Sequence, residues 1–453
     1  MYLYILLIIN FLLFMINYWL AKKDCFSPSV MTFISLIAGN IFLVIAKETW
    51  DVEVSLNTLI ICFFGGLAIT FGNALSNPIR NRVKNNGSYV LTYKRKYIIF
   101  ASIISVLLTV LYGINAYKVG VMAGGSGLNA FGYMKALYLN QEQGPKMNLL
   151  IRQGFKLVMA IAYVNGFYLI NNLINRKKER NSSNYFFCIS IGAAVCITIF
   201  SGSRTEIIRL LSSIMIIFAV VWREKHGWKF PRTNKKVVKV MIKRFFIPVL
   251  MFVLLAFASR VMVKTNNVAT SRIDSILGYI TFYVGSPFAV LNNKINMAFS
   301  ENSFMIANNI SKSIAGSHTY LGRLDYGGNV STIYCIVLSN GLLLMVLRLI
   351  LVYCLFETMY KSLFVGSNTS RKRDACLLFF SMIYYVFIEA FYSYNVRVAM
   401  DFSSTIIIAI ALLYFYVTSI YKKSFSVPYS LIDRHQHSIM SYTHPRYHLW
   451  NDK

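Results

Sequence analysis

Residues 2–20 read Tyr-Leu-Tyr-Ile-Leu-Leu-Ile-Ile-Asn-Phe-Leu-Leu-Phe-Met-Ile-Asn-Tyr-Trp-Leu, a run without a charged side chain. A helix of this length rises about 1.5 Å per residue and so matches a hydrocarbon core roughly 30 Å thick. No basic stretch precedes the run and no small-residue cleavage motif follows it, so it reads as a retained membrane span rather than a secretion signal. Outward from it, ten further apolar segments follow, at approximately 29–46, 56–75, 97–117, 152–173, 185–200, 206–222, 245–260, 338–358, 375–394 and 400–420. Backbone polar groups must be satisfied within the lipid, so these segments are expected to be helices. The expected fold is an all-α polytopic membrane protein, one domain over 1–453, with about eleven transmembrane helices.

Composition supports this reading. Of 453 residues, 56% are hydrophobic and 14% charged, and the mean hydropathy is +0.54. So little charge cannot clothe water-soluble domains of this mass, which excludes a soluble enzyme. The net charge of +29, from 46 Lys and Arg against 17 Asp and Glu, would suggest nucleic acid in a soluble protein. Here it orients spans, and no nucleic-acid partner is expected. Placing the loops on alternate sides puts most of the basic residues on one side: Lys22 and Lys23, the groups at 80–96 and 176–180, those at 223–244, Lys361, Arg371–Arg373, and the tail 421–453. The positive-inside rule then places the N-terminus outside and the C-terminus in the cytoplasm. Seven cysteines, at 25, 62, 188, 196, 335, 354 and 376, lie mostly in apolar runs without metal-ligand spacing. They read as small buried hydrophobes, with no disulfide framework, and neither a metal nor a cofactor is expected.

The segment Ser275 to Leu291 also lacks charge, and if it crossed, Arg371-Lys372-Arg373 would move outside. It therefore reads as an interfacial or re-entrant helix broken around Gly285-Ser286-Pro287. That leaves a large external loop, 261–337, and a second, 118–151, with the run Ala123-Gly124-Gly125-Ser126-Gly127. Loops of such length usually carry function.

The short turn Ser201-Gly202-Ser203-Arg204-Thr205-Glu206, followed by Arg209, joins two spans outside. Ser203 and Glu206 have capping-box spacing, which explains a helix start and leaves the arginines unexplained. Free amides at a helix start, flanked by Arg204 and Arg209, suit a phosphate or diphosphate. The local alternative is snorkelling, or a Glu206–Arg209 pair at i,i+3. The large loop adds Arg260, Tyr279, Tyr283, His318, Arg323, Asp325 and Asn329, and the last outer turn adds Arg397. His318, the one histidine outside, reads either as a solvated loop residue or as a general base, with Asp325 and Glu389 as other bases. Arg348, about ten residues into its span, is expected to face protein or a cavity and to pair with an acid, Glu389 or Asp401.

Three elements together resemble the bacterial oligosaccharide repeat unit polymerases, the Wzy-type O-antigen and capsule polymerases. They are the Ser-Gly-Ser-Arg-Thr turn at 201–205, the Tyr279…Tyr283…Pro287 helix, and Asn329-Val330-Ser331-Thr332 followed by Leu338-Ser339-Asn340-Gly341. The chain departs from the family's pattern at Asn340, where an acidic residue is expected. The resemblance implies a membrane glycosyltransferase that joins undecaprenyl-diphosphate-linked oligosaccharides on the outer face, with a flippase and a chain-length regulator as companions. It implies Arg204 and Arg323 on the diphosphate, Arg209 and Arg260 in support, and His318 as base, with Tyr279, Tyr283, Asp325, Asn329 and Arg397 among the substrate contacts. A flippase would show paired repeats and broken midplane helices, and no repeat is present. A glycan ligase shares the layout with a different acceptor.

Overall fold

A computed structural model describes residues 1–79, 89–139, 146–175, 183–202, 205–226, 238–240, 276–300, 319–321, 324–327, 332–365 and 370–423. The chain forms helices α1 (Tyr2–Leu20), α2 (Pro28–Trp50), α3 (Leu56–Leu75), α4 (Arg95–Met122), α5 (Ala130–Leu139), α6 (Leu149–Asn175), α7 (Ser183–Phe200) and α8 (Thr205–Lys225). After these come α9 (Ile276–Ser300), α10 (Ile336–Ser362), α11 (Arg371–Ile383), α12 (Tyr385–Ile388), α13 (Val396–Ala399) and α14 (Phe402–Thr418). Short strands are β1 (Tyr89–Tyr93), β2 (Thr319–Leu321), β3 (Leu324–Gly327) and β4 (Ser419–Lys423). Among the described residues, eight helices are long and apolar enough to cross a membrane: α1 to α4, α6 to α8, and α10 with the turn before it.

The spans expected at 375–394 and 400–420 take shorter forms. The first is α11 and α12 in series, ending at Ile388, and the second is α14, of 17 residues. The segment 245–260 lies outside the described residues. The helix surfaces facing away from the protein are apolar, as a lipid-immersed bundle requires: Leu343, Leu347, Leu351 and Leu355 form one exposed stripe at i,i+4 on α10. Cys188, Cys196 and Cys376 are exposed too, so only Cys62 matches the buried role expected of the seven; all are free thiols.

Polar contacts sort the loops between two ends of the bundle. At one end, Arg223 from α8 makes a bidentate pair with Asp24 from the α1–α2 turn, Nη2–Oδ1 2.5 Å and Nη1–Oδ2 2.8 Å. Tyr360 from α10 donates to the same carboxylate at 2.7 Å. Arg373 pairs with Glu224 at 2.7 Å, Lys361 reaches Ser76, and Tyr421 donates to Asp374. Antiparallel pairing of β1 with β4, Tyr93 opposite Ser419, ties the start of α4 to the end of α14. These are the loops that alternation placed together, and we call this the basic end. At the far end, Lys47 lies over the Tyr4 ring and Lys156 over Phe402.

Helix α9 is continuous through Pro287, where a break was expected. Ser286 Oγ donates to the Phe282 carbonyl, one residue before Tyr283, whose carbonyl receives no N–H from Pro287. Gly285 lets α9 approach closely, since a Cβ there would stand 2.9 Å from the Leu43 nitrogen. Its partners run from the centre of α2 to the far end: Phe282 on Trp50, Phe288 on Gly39, and Asn292 on Glu53, Ser55 and Thr58. No described contact takes it to the basic end.

Candidate functional site

At the far end, the turn Ser201–Gly202 leads into α8, whose first turn carries Glu206 and whose second carries Arg209. The helix is apolar on most of its length and packs against α6, α11 and α12. Glu206 Oε1 and Arg209 Nη1 are 2.5 Å apart, with side-chain exposures of 16% and 10%. This is the local i,i+3 alternative that the spacing allowed. The guanidinium also lies over the Tyr385 ring, 4.3 Å from its centroid, a cation–π contact strengthened by burial. Arg209 Nε and the Tyr385 hydroxyl are buried without a hydrogen-bond partner. They flank a cavity of about 20 Å³, lined also by Tyr163, Met382, Ala399 and Ser404. That is room for a water molecule or two by the usual threshold of ~10–15 Å³.

Glu389 is buried just past the end of α12 and accepts from Asn395 Nδ2 at 2.7 Å. It lies within electrostatic reach of Arg209, as does Tyr163. The turn that carries it is a junction. Phe391 donates its amide to Ser35, the Ala390 carbonyl accepts from Ile333 ahead of α10, and Phe391 and Phe288 of α9 both press on Gly39. Asp401 caps α14, accepting from the Ser404 amide at 2.6 Å. One arginine, one carboxyl group and two phenols therefore line one small cavity inside an apolar bundle, with the second carboxyl, Glu389, within electrostatic reach of the arginine. Such a set can exchange a proton with a hydroxyl and can offer N–H and O–H donors to an oxyanion. With Glu206 already against it, Arg209 is a weaker holder of a diphosphate than a free guanidinium is.

Of the residues singled out from the sequence, Arg204, Arg260, His318, Arg323 and Asn329 lie outside the described residues. Tyr279 is on α9. Tyr283, half-buried on the same helix, meets Phe282 edge-on at 5.5 Å. Asp325 is in β3, opposite Tyr320. Arg397 is exposed on α13, two residues from Ala399 in the cavity wall. Lys294 of α9 is buried, and burial pushes its ammonium below the usual lysine range.

Arg348 departs from expectation. It is exposed on α10, and its Nη1 donates to Asn340 Oδ1 at 2.7 Å; neither Glu389 nor Asp401 is its hydrogen-bond partner. In an unbroken helix those residues would be about 12 Å apart along the axis. Gly341, at φ 75 and ψ 172, breaks α10 and folds Asn340 back onto the arginine. Sequence reasoning missed Tyr163 and Tyr385, whose only signal was a hydroxyl inside an apolar run.

Compared with known proteins, the chain matches no family model, and neither a curated sequence nor a solved structure is significantly similar to it.

Proposed function

We propose that this chain is a bacterial membrane glycosyltransferase that polymerises undecaprenyl-diphosphate-linked oligosaccharide repeats into surface polysaccharide, O-antigen or capsule. The observation that carries the reading is the ionisable cluster Glu206, Arg209 and Tyr385 lining a small cavity at the end away from the basic loops, with buried Glu389 in electrostatic reach. Ionisable groups within an apolar bundle are costly and are usually kept for chemistry. In this reading the basic end is cytoplasmic, by the positive-inside rule, and the cluster serves the outer leaflet, where lipid-linked repeats are joined.

The chemistry is a single displacement. The acceptor sugar hydroxyl attacks the anomeric carbon of the donor, the bond to the lipid diphosphate breaks, and the diphosphate leaves with the electron pair. Glu389, held by Asn395, takes the hydroxyl proton; His318 is the other base to test. Arg209 and the Tyr385 hydroxyl supply donors as charge develops on oxygen. Arg204, five residues before Arg209 and with no carboxylate three or four positions away, holds the diphosphate together with Arg323. No nucleotide sugar enters.

The test is deletion of the gene in its host and sizing of the surface glycan. Loss of long chains, with a single repeat still displayed, is the expected result. Loss of all display, with lipid-linked units retained inside, would replace this reading with a flippase.

A further inference from the structure

We infer that the cavity at the basic end binds the headgroup of an aminophospholipid, its primary ammonium on Glu357 and its phosphate beside Lys361 and Lys22. The inference is independent of the glycosyltransferase reading. The cavity measures about 190 Å³ and lies between the end of α1, the start of α2, the segment after α3 and the last turns of α10. Its lining grades from exposed Lys22, through half-buried Pro78, Lys361 and Val365, to fully buried Glu357 and Tyr360.

Glu357 is the telling residue. Its Oε1 accepts from Ser27 Oγ at 2.5 Å, Ser29 Oγ at 2.6 Å and the Ser29 amide at 2.8 Å. Its Oε2 is buried and has no partner. Asp24, another buried acid at this end, is fully engaged by Arg223, Tyr360 and the Phe26 amide. A buried carboxylate oxygen beside a cavity is completed by a ligand that brings N–H or O–H groups.

Nearer the rim, Lys361 Nζ is held by the neutral oxygens of Asn73 and Ser76, one turn beyond Glu357 and within electrostatic reach of it. Lys22 and Lys23 are consecutive left-handed residues, φ 53 and 63, a conformation that non-glycine residues adopt at a cost and that sets Lys22 at the rim. Leu20, Ala21, Pro78 and Val365 supply an apolar wall. An acidic interior, a cationic rim and an apolar flank at a membrane face match one class of ligand: a zwitterion with ammonium inward, phosphate at the rim and acyl chains leaving sideways. An anionic headgroup such as glycerol phosphate can donate an O–H to Oε2 but brings no positive charge to the buried carboxylate, and a quaternary ammonium has no N–H to donate.

The experiment uses the full chain in detergent, with short-chain phospholipids titrated by native mass spectrometry and by thermal shift. Phosphatidylethanolamine is expected to bind at least tenfold more tightly than phosphatidylcholine or phosphatidylglycerol. Glu357→Gln keeps the acceptor for Ser27 and Ser29, replaces Oε2 with a donor, and should erase the preference for ethanolamine over choline. Lys361→Gln should weaken phosphatidylethanolamine several-fold. Equal binding of all three lipids by the unaltered protein, or an undiminished preference in Glu357→Gln, would overturn the assignment. So would free phosphoethanolamine binding as tightly as the lipid, which would make the ligand a soluble metabolite. If Glu357→Gln fails to accumulate, the series of N-methylated headgroups on the unaltered protein decides alone.

Discussion

The two ends of the bundle each hold a buried arginine, and they use it differently. At the basic end, Arg223 and Asp24 are both 0% exposed in their side chains, and the carboxylate accepts from two guanidinium nitrogens, a phenol and an amide. The Nε of both arginines is unpartnered, but at the far end Arg209 has one ion-pair contact, with Glu206, and the neighbouring Tyr385 hydroxyl is also left unpartnered, at residues that line a cavity. A nearly saturated network locks α1, α8 and α10 together and has little left to offer a substrate. An incompletely satisfied one has donors to spare, at the expense of stability, which is the usual signature of a site rather than a strut.

The comparison can be broken first at the basic end. Arg223→Met leaves Asp24 charged and unpaired in an apolar setting, which costs about 3–5 kcal/mol. We expect little folded protein in the membrane, measured by fluorescence-detected gel filtration, and partial recovery when Asp24→Asn is added. If Arg223→Met alone accumulates normally, the triad is not the strut described. At the far end the expected loss is in activity instead. Glu389→Gln retains an acceptor for Asn395 and should lower chain extension roughly 10²–10⁴-fold, the range for removal of a general base, at unchanged protein level. Normal glycan length in this variant would pass the role of base to His318.

Arg209→Ala should also abolish long chains, a loss of about 10²–10³-fold if its donors serve the developing oxyanion. Arg209→Lys keeps the pair with Glu206 but not the planar stack on Tyr385, so it should recover only part of the activity. A thermal unfolding midpoint that falls as far in Arg209→Ala as in Arg223→Met would make both arginines struts. The smallest effect belongs to Gly341→Ala, at φ 75. An alanine at φ 75 and ψ 172, a region almost confined to glycine, costs about 1–3 kcal/mol, and the midpoint should fall by a few degrees as Asn340 loses its hold on Arg348.

How far each feature could be read ahead depended on its sequence separation. The spans are local runs of apolar residues, and most helices begin and end within a few positions of where hydropathy placed them. Glu206–Arg209 is three residues apart on one helix and was legible as an option. Asp24–Arg223 spans 199 positions and Thr32–Tyr353 spans 321, and nothing in the local pattern joins them. Arg348 was misassigned because charge arithmetic looks for an acid, while a backbone break at Gly341 supplied an amide. Glu389 was visible as a candidate base, yet its turn became a junction only through Ser35, Ile333 and Gly39, which come from distant segments.

From the sequence by itself came the solvent of this protein and the alternation of its loops, because the cost of placing charge and bare backbone in hydrocarbon is paid residue by residue. Tertiary structure alone decided which charges are sealed and which are left open. Hydrogen-bond saturation is a property of neighbours in space, and two arginines with the same chemistry differ here only in what packs around them.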